Sequence, residues 1–277
     1  MSDRFLLGRS AWVTGGVTGI GRAIALALAD AGANVAIGSL LAGGYLPQAA
    51  YAARPTIGAL DDTANAIRAR GVDCFASGLD LRVDEDVDRF HRAAAEALGP
   101  IDILVNAAGI SAQEEMIGHS DETWGVVLDV NLNGAYRTTK RCMGSMIERG
   151  WGRIVNIAST AAEVGYPRHS AYCASKAALL GLTRCVALEG AEHGVTCNAI
   201  NPGWVATEMM RLGSERRVAQ GGPGATPEEN MAFLAETMPQ KRLIPAEEVA
   251  AFVVFLSRDD ALGLTGEAIT VAGGSIW

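Results

Sequence analysis

The turn Thr14-Gly15-Gly16-Val17-Thr18-Gly19-Ile20-Gly21 constrains this chain more than any other feature. It follows a short apolar run at 10–14 and opens an Ala-rich helical pattern at 21–31. Glycines there allow a tight turn and close approach of backbone to a ligand. The helix start adds unpaired N–H groups and partial positive charge. Strand, turn and helix in that order make an anion cradle suited to a pyrophosphate. Alone, such a turn is equally compatible with a plain structural role, so the rest of the chain decides. No Lys-Ser/Thr pair follows, which excludes a nucleotide-hydrolysing loop, and the TGxxxGxG spacing differs from the dinucleotide GxGxxG form.

Strands are expected at 34–37, 74–79, 101–106, 153–158, 195–201 and 268–271, with helices at 61–70, 83–98 and 171–193. Strands and helices in alternation imply βαβ units, a parallel sheet and right-handed crossovers that place helices on both faces. The expected fold class is α/β: a doubly wound parallel sheet of Rossmann type, with ligands outside the carboxyl ends of the strands. The 277 residues suit a single dinucleotide-binding and catalytic domain over 1–277. Two stretches break the rhythm. About 40–59 is a Gly-, Ala- and Pro-rich insertion between a strand and its helix. About 207–241 holds Gly221-Gly222-Pro223-Gly224 and reads as a substrate lid.

With 49% apolar and 19% charged residues, disorder is not the expectation. A net charge of −8 argues against a nucleic-acid face or an anionic membrane surface and is read as solubility. Cys74, Cys142, Cys173, Cys185 and Cys197 include no CxxC pair, so reduced thiols in a reducing compartment are expected. His91, His119, His169 and His193 lack ligand spacing, and no metal is expected. The N-terminus shows no leader pattern and no apolar run is clean enough to span a bilayer, so a cytoplasmic protein is expected.

Tyr172-Cys173-Ala174-Ser175-Lys176 opens the longest helix. Positions i and i+4 share one helix face, which brings a phenol and an ammonium together. A free tyrosine, with a pKa of about 10, is a poor base at neutral pH. A neighbouring positive charge should lower that value and let the phenol take or give a proton. Ser159 ends the strand at 153–158, where its hydroxyl can meet a substrate oxygen as charge builds; a cap or polar strand end is the alternative.

Taken with TGxxxGxG, these residues resemble the short-chain dehydrogenase/reductase family, over nearly the whole chain from Thr14 to Gly274. The resemblance implies a nicotinamide dinucleotide, hydride transfer, and Asn131, Ser159, Tyr172 and Lys176 as the catalytic set. Asn131 would hold a water linking Lys176 to solvent. Gly15, Thr18, Gly19, Ile20 and Gly21 would line the pyrophosphate. Asp80-Leu81 would meet adenine, with a helix cap as the other reading of Asp80. Asn106-Ala107-Ala108-Gly109 matches the NxAG motif, its asparagine able to hold strand ends together as well. Pro202, Gly203, Val205 and Thr207 would fix the carboxamide, beside Tyr172 and Lys176.

Ser39, not a carboxylate, ends the second strand, which favours NADP(H) over NAD(H); Arg54 from the insertion is the conjectured basic partner. The insertion is expected to border the adenosine end. Trp204, Glu163 and Tyr166 are substrate-pocket candidates, and Met209, Met210 and Leu212 read equally as an apolar wall or as core.

The expected function is interconversion of a small secondary alcohol and a ketone, with a homo-oligomer, dimer or tetramer, implied by the resemblance. A narrower alternative is reduction of 3-oxoacyl groups on a carrier protein, docked by Arg137, Lys140 and Arg141. A lyase or a cofactor-sensing regulator on the same fold fits less well, because the tyrosine, the lysine and the phosphate loop are all intact.

Overall fold

The computed structural model describes residues 4–275. The leader-free reading of the N-terminus rests partly on Met1–Asp3, which lie outside the described residues. The first half runs β1 (Ser10–Thr14), α1 (Gly19–Asp30), β2 (Asn34–Ser39), β3 (Ala50–Tyr51), α2 (Ile57–Arg68), β4 (Cys74–Gly78), α3 (Asp84–Leu98), β5 (Ile103–Asn106) and β6 (Ser111–Ala112). α4 (Asp121–Leu128), a π-helical turn at Asp129–Asn133 and α5 (Gly134–Glu148) follow. Then come β7 (Gly152–Ile157), α6 (Ser170–Gly190), β8 (Val195–Pro202), α7 (Glu208–Ala219), α8 (Pro227–Thr237), α9 (Ala246–Leu256) and β9 (Ala268–Val271).

The main sheet is parallel, with order β4-β2-β1-β5-β7-β8-β9. The chain leaves β1 in one direction, then returns and leaves β5 in the other. A crevice therefore opens where the carboxyl ends of β1 and β5 part.

Strand parity explains the two helical layers. In β1, Ala11 and Val13 pack with Ile24, Leu28 and Val253, under α1 and α9. Trp12 points the other way and stacks on Phe90 of α3 with ring centroids 5.1 Å apart. The two faces are thus filled from alternate residues of the same strands.

The sequence-derived boundaries of β1 and β9 hold, whereas α4, α5 and α9 were not anticipated. Neither was the small antiparallel pair β3–β6, in which Ala50 faces Ala112 and Tyr51 faces Ser111. Residues 170–193 are long and apolar enough, by length and composition, to cross a membrane, contrary to the reading from sequence. In the fold this stretch is a core helix: Leu179, Val186 and Ala187 are buried, and it carries Tyr172 and Lys176.

Candidate active site

A cleft at the crevice runs from the phosphate loop to the lid. At its base, Thr14 ties the ends of β1 and β5, its hydroxyl accepting from the N–H groups of Ala107 and Ala108 at 3.1 Å. Gly15 holds φ +67°, and a Cβ there would lie 2.8 Å from the Cα of Ala108. A Cβ on Gly21 would come within 2.2 Å of the Gly15 carbonyl. The loop must therefore be glycine at both places. Thr18 sits at the N-cap of α1 without a side-chain capping bond, so the first N–H groups of the helix remain available to an anion. Gly15, Thr18, Gly19, Ile20 and Gly21 all line the cleft.

Ser159, Tyr172 and Lys176 converge on the opposite wall. Ser159 leaves β7 in extended conformation, caps a short 3₁₀ turn through Ala161 N–H at 3.1 Å, and lies close enough to the Tyr172 phenol to favour its ionised form. Its capping reading is thus realised, and the hydroxyl also lines the cleft. Lys176 is buried, with Nζ donating to the Ile157 carbonyl at 2.7 Å and lying 5.7 Å from the centre of the Tyr172 ring.

The electrostatics correct one expectation. Burial pushes the Tyr172 phenol up to about 12, only partly offset by Ser159, with Tyr51, Cys173 and Tyr166 raising it further. Burial brings Lys176 down to about 8. In this fold the ammonium does not lower the phenol, because desolvation disfavours both charges. The Tyr172 phenol is therefore protonated at neutral pH.

Asn131 stands on the π-helical turn, whose extra residue turns the side chain across to the end of β5. Its Oδ1 accepts from Ile110 N–H at 2.8 Å, and Nδ2 donates to the Ile110 carbonyl at 3.0 Å and to Ser175 Oγ at 2.9 Å. The amide thereby fixes the start of α6. Gly109 lies beside both groups: a Cβ there would sit in ordinary contact, 3.4 Å from Lys176 Nζ and 3.5 Å from Asn131 Oδ1.

Two sequence candidates turn elsewhere. Asn106 faces away from the cleft, donating to Asn156 Oδ1 at 2.8 Å and accepting from Thr138 at 2.6 Å, so only its strand-tying reading is realised. The Asp80 carboxylate is gripped by Arg82, at 2.6 and 2.8 Å, leaving Leu79 and Leu81 as the wall. The Arg82 contact holds Asp80 below the usual carboxylate range against the cost of burial. Among pocket candidates, Glu163 is exposed and accepts from Asn201 at 2.6 Å, and Leu212 does not line the cleft. Trp204, Tyr166, Met209 and Met210 do, as do Ala107, Gly109, Pro202, Gly203, Val205 and Thr207.

The insertion reaches further than expected. Leu40 and Arg54 border the end beside Ser39, but Tyr51 lies at the catalytic end, against α7. Arg216 of α7 braces it, donating to the carbonyls of Gln48, Ala49 and Ala50. Sequence reasoning missed Tyr51, Gln113 and Arg217 here. Local motif carried no signal for them, since β3, β6 and α7 meet only in three dimensions.

The cradle fits a nicotinamide dinucleotide. Glycine is forced where the pyrophosphate would pass, and Ser39 Oγ is buried without a partner at the end of β2.

The short chain dehydrogenase model matches residues 9–217. D-beta-hydroxybutyrate dehydrogenase of Cupriavidus necator is 34% identical, covering 97% of this chain and 98% of that one. Acetoacetyl-CoA reductase of Rhizobium meliloti is 38% identical over 97% and 98% of the two chains. 3-Oxoacyl-[acyl-carrier-protein] reductase of Staphylococcus epidermidis is 31% identical over 97% and 99%. A variant of actinorhodin polyketide ketoreductase, crystallised with NADPH, superposes with a TM-score of 0.87 at 33% identity, over 96% and 97%. The chain belongs to the short-chain dehydrogenase family, as an NAD(P)-dependent oxidoreductase that interconverts secondary alcohols and ketones.

Proposed function

We propose that the enzyme works with NADP(H) on a small free ketone or alcohol, with Tyr172 as its proton donor and acceptor. The observation that carries this reading is the convergence of Ser159, Tyr172 and Lys176 on one wall of the cleft, with the phenol held protonated. When bound, the nicotinamide supplies hydride chemistry. Ser159 polarises the substrate oxygen and Tyr172 gives it a proton as charge develops. Lys176, held by Ile157, orients the pair, and Asn131, on the other side of Gly109, is the residue past which its proton is resupplied.

The cofactor preference follows from the end of β2. No carboxylate stands there to repel a 2′-phosphate. Arg54 Nη1 donates to the Gly44 carbonyl at 2.7 Å, and Gly44 packs on Leu40 next to Ser39. A guanidinium is thus held at the corner where the buried Ser39 hydroxyl lacks a partner. Fluorescence titration with NADPH and NADH tests this, with tighter NADPH binding expected; tighter NADH binding would refute it.

A free small molecule is favoured over a carrier-bound acyl group. Of the expected docking residues, Arg137 and Arg141 are already paired with Asp84, Asp88 and Asp129 at 2.7–3.5 Å, which leaves exposed Lys140, over the Tyr136 ring, as the remaining cation of the three. The edge strand β9 and the exposed Phe252 and Phe255 of α9 support a homo-oligomer, which light scattering would measure. Unbridged cysteines support a cytoplasmic location.

A further inference from the structure

The lid brings to the cleft a positive charge that the proton relay does not use. Arg217, on α7, lines the cleft. Its Nη1 donates to Ser214 Oγ and Asn230 Oδ1, each at 3.2 Å, and its guanidinium lies 4.9 Å from the centre of the Trp204 ring. No carboxylate among the described residues stands within ion-pair distance of it. Of the neighbouring cations, Arg211 holds Glu208 at 2.7 Å, Arg168 holds Glu115 at 3.1 Å, and Arg216 is committed to the carbonyls of Gln48, Ala49 and Ala50. Glu208, the one acidic wall residue, is thus already engaged. A half-buried guanidinium with only neutral partners is costly unless a ligand supplies the opposite charge.

A second donor points to the same place. A Cβ built on Gly213 would lie 3.2 Å from the Tyr51 hydroxyl and 3.6 Å from Arg217 Nη2. The Tyr51 oxygen lies 3.4 Å from the side-chain amide of Gln113, and Tyr51 lines the cleft as a neutral hydrogen-bonding group. Arg216, 4.9 Å over the Tyr51 ring, holds that phenol in position. Tyr51 is also close enough to act electrostatically on Tyr172, so this corner adjoins the proton donor. Trp204 and Tyr166, with ring centroids 5.9 Å apart, form an aromatic wall beside it.

We propose that Arg217 and Tyr51 form a carboxylate-binding subsite, so that the substrate is an oxo or hydroxy acid held by its carboxylate while its carbonyl meets Ser159 and Tyr172. The proposal rests on the reductase reading above. A planar guanidinium and one neutral phenol match a single negative charge. A phosphate dianion would need a second cation, and the nearest, Arg216, is already spent on three main-chain carbonyls. The neighbouring His169, with Nδ1 on the Pro167 carbonyl at 2.9 Å, is kept neutral by burial.

The test pairs straight-chain 2-, 3-, 4- and 5-oxo acids with their methyl esters and compares kcat/KM. Wild type should prefer at least one acid over its ester by about tenfold or more, the worth of a charged hydrogen bond. Arg217→Met should collapse that ratio toward one through KM, Arg217→Lys should restore part of it, and Tyr51→Phe should lower it several-fold. NADPH binding by each variant reports that it is folded; should Arg217→Met not fold, Tyr51→Phe carries the same comparison. Wild type reducing acids and esters alike overturns the subsite and leaves the reductase reading intact. Wild type reducing neither overturns the subsite, and turnover of uncharged ketones with NADPH then decides the reductase reading separately.

Discussion

Lys176 gives its ammonium to the main-chain oxygen of Ile157 at 2.7 Å, two residues before Ser159 on the same outgoing strand. The lysine is thereby fastened to the segment that presents the Ser159 hydroxyl to the cleft. Burial lowers its pKa from 10.5 to about 8. Between those values the unfolded chain binds more protons than the folded one, so stability rises with pH. This contribution is fully present above pH 10.5 and is lost as pH falls through about 8. The melting temperature of the wild type relative to Lys176→Met should therefore climb from pH 7.5 to 10. A difference that stays flat across that window would remove the buried-ammonium account.

Tyr172 is held protonated, with its pKa pushed up to about 12 by burial. Ketone reduction needs the neutral phenol and should stay level from pH 6 to 8, while alcohol oxidation needs the phenolate and should rise with pH across that range. Tyr172→Phe keeps the ring and removes the proton. Turnover should fall by about 100-fold or more while cofactor affinity changes little. Rate measurements beside a fluorescence titration separate the two effects, and retained turnover would refute the assigned role.

The phosphate loop tolerates no side chain at Gly21, where a Cβ would press to 2.2 Å from the Gly15 carbonyl. Backbone cannot give way as a flexible side chain can. Gly21→Ala should weaken cofactor binding by tenfold or more, about 1.4 kcal/mol, and lower the melting temperature. Gly58→Ala, placed where a Cβ meets only Thr56 Oγ1 at 3.8 Å, should do neither. Comparing the two by calorimetry checks that the effect belongs to the loop.

Ser39 ends β2 with a buried, unpartnered hydroxyl. Replacing it by aspartate puts a carboxylate where a ribose hydroxyl can use it and a phosphate cannot. Ser39→Asp should shift the NADPH-to-NADH ratio of kcat/KM toward NADH by at least tenfold, about 1.4 kcal/mol. Arg54→Ala should shift it the same way by less. Steady-state kinetics with both cofactors decides, and an unmoved ratio would place the 2′ group elsewhere.

Much of the site was legible because its residues sit at strand ends and on one helix, where spacing maps directly onto geometry. Tyr172 and Lys176 share a face of α6, and Gly15, Gly19 and Gly21 form one continuous turn. What escaped was set by orientation or by contact between distant segments. Asn106 occupies its motif position, but strand parity turns it toward Thr138 and Asn156. Asp80 meets an arginine two residues later. Asn131 depends on a π-helical turn, which no hydrophobic period reveals. Tyr51 and Arg217 become neighbours only after β3 has paired with β6 and α7 has packed against the insertion.

The β3–β6 ladder has only two residue pairs, Ala50 with Ala112 and Tyr51 with Ser111. So short a ladder specifies register weakly. A small insertion or deletion in 40–59 can therefore exchange the side chain over the proton donor without disturbing Tyr172, Lys176 or the phosphate loop. The Tyr51 half of the proposed subsite therefore sits on a stretch of chain that can be re-cut on its own, apart from the elements that carry Tyr172, Lys176 and the glycine turn.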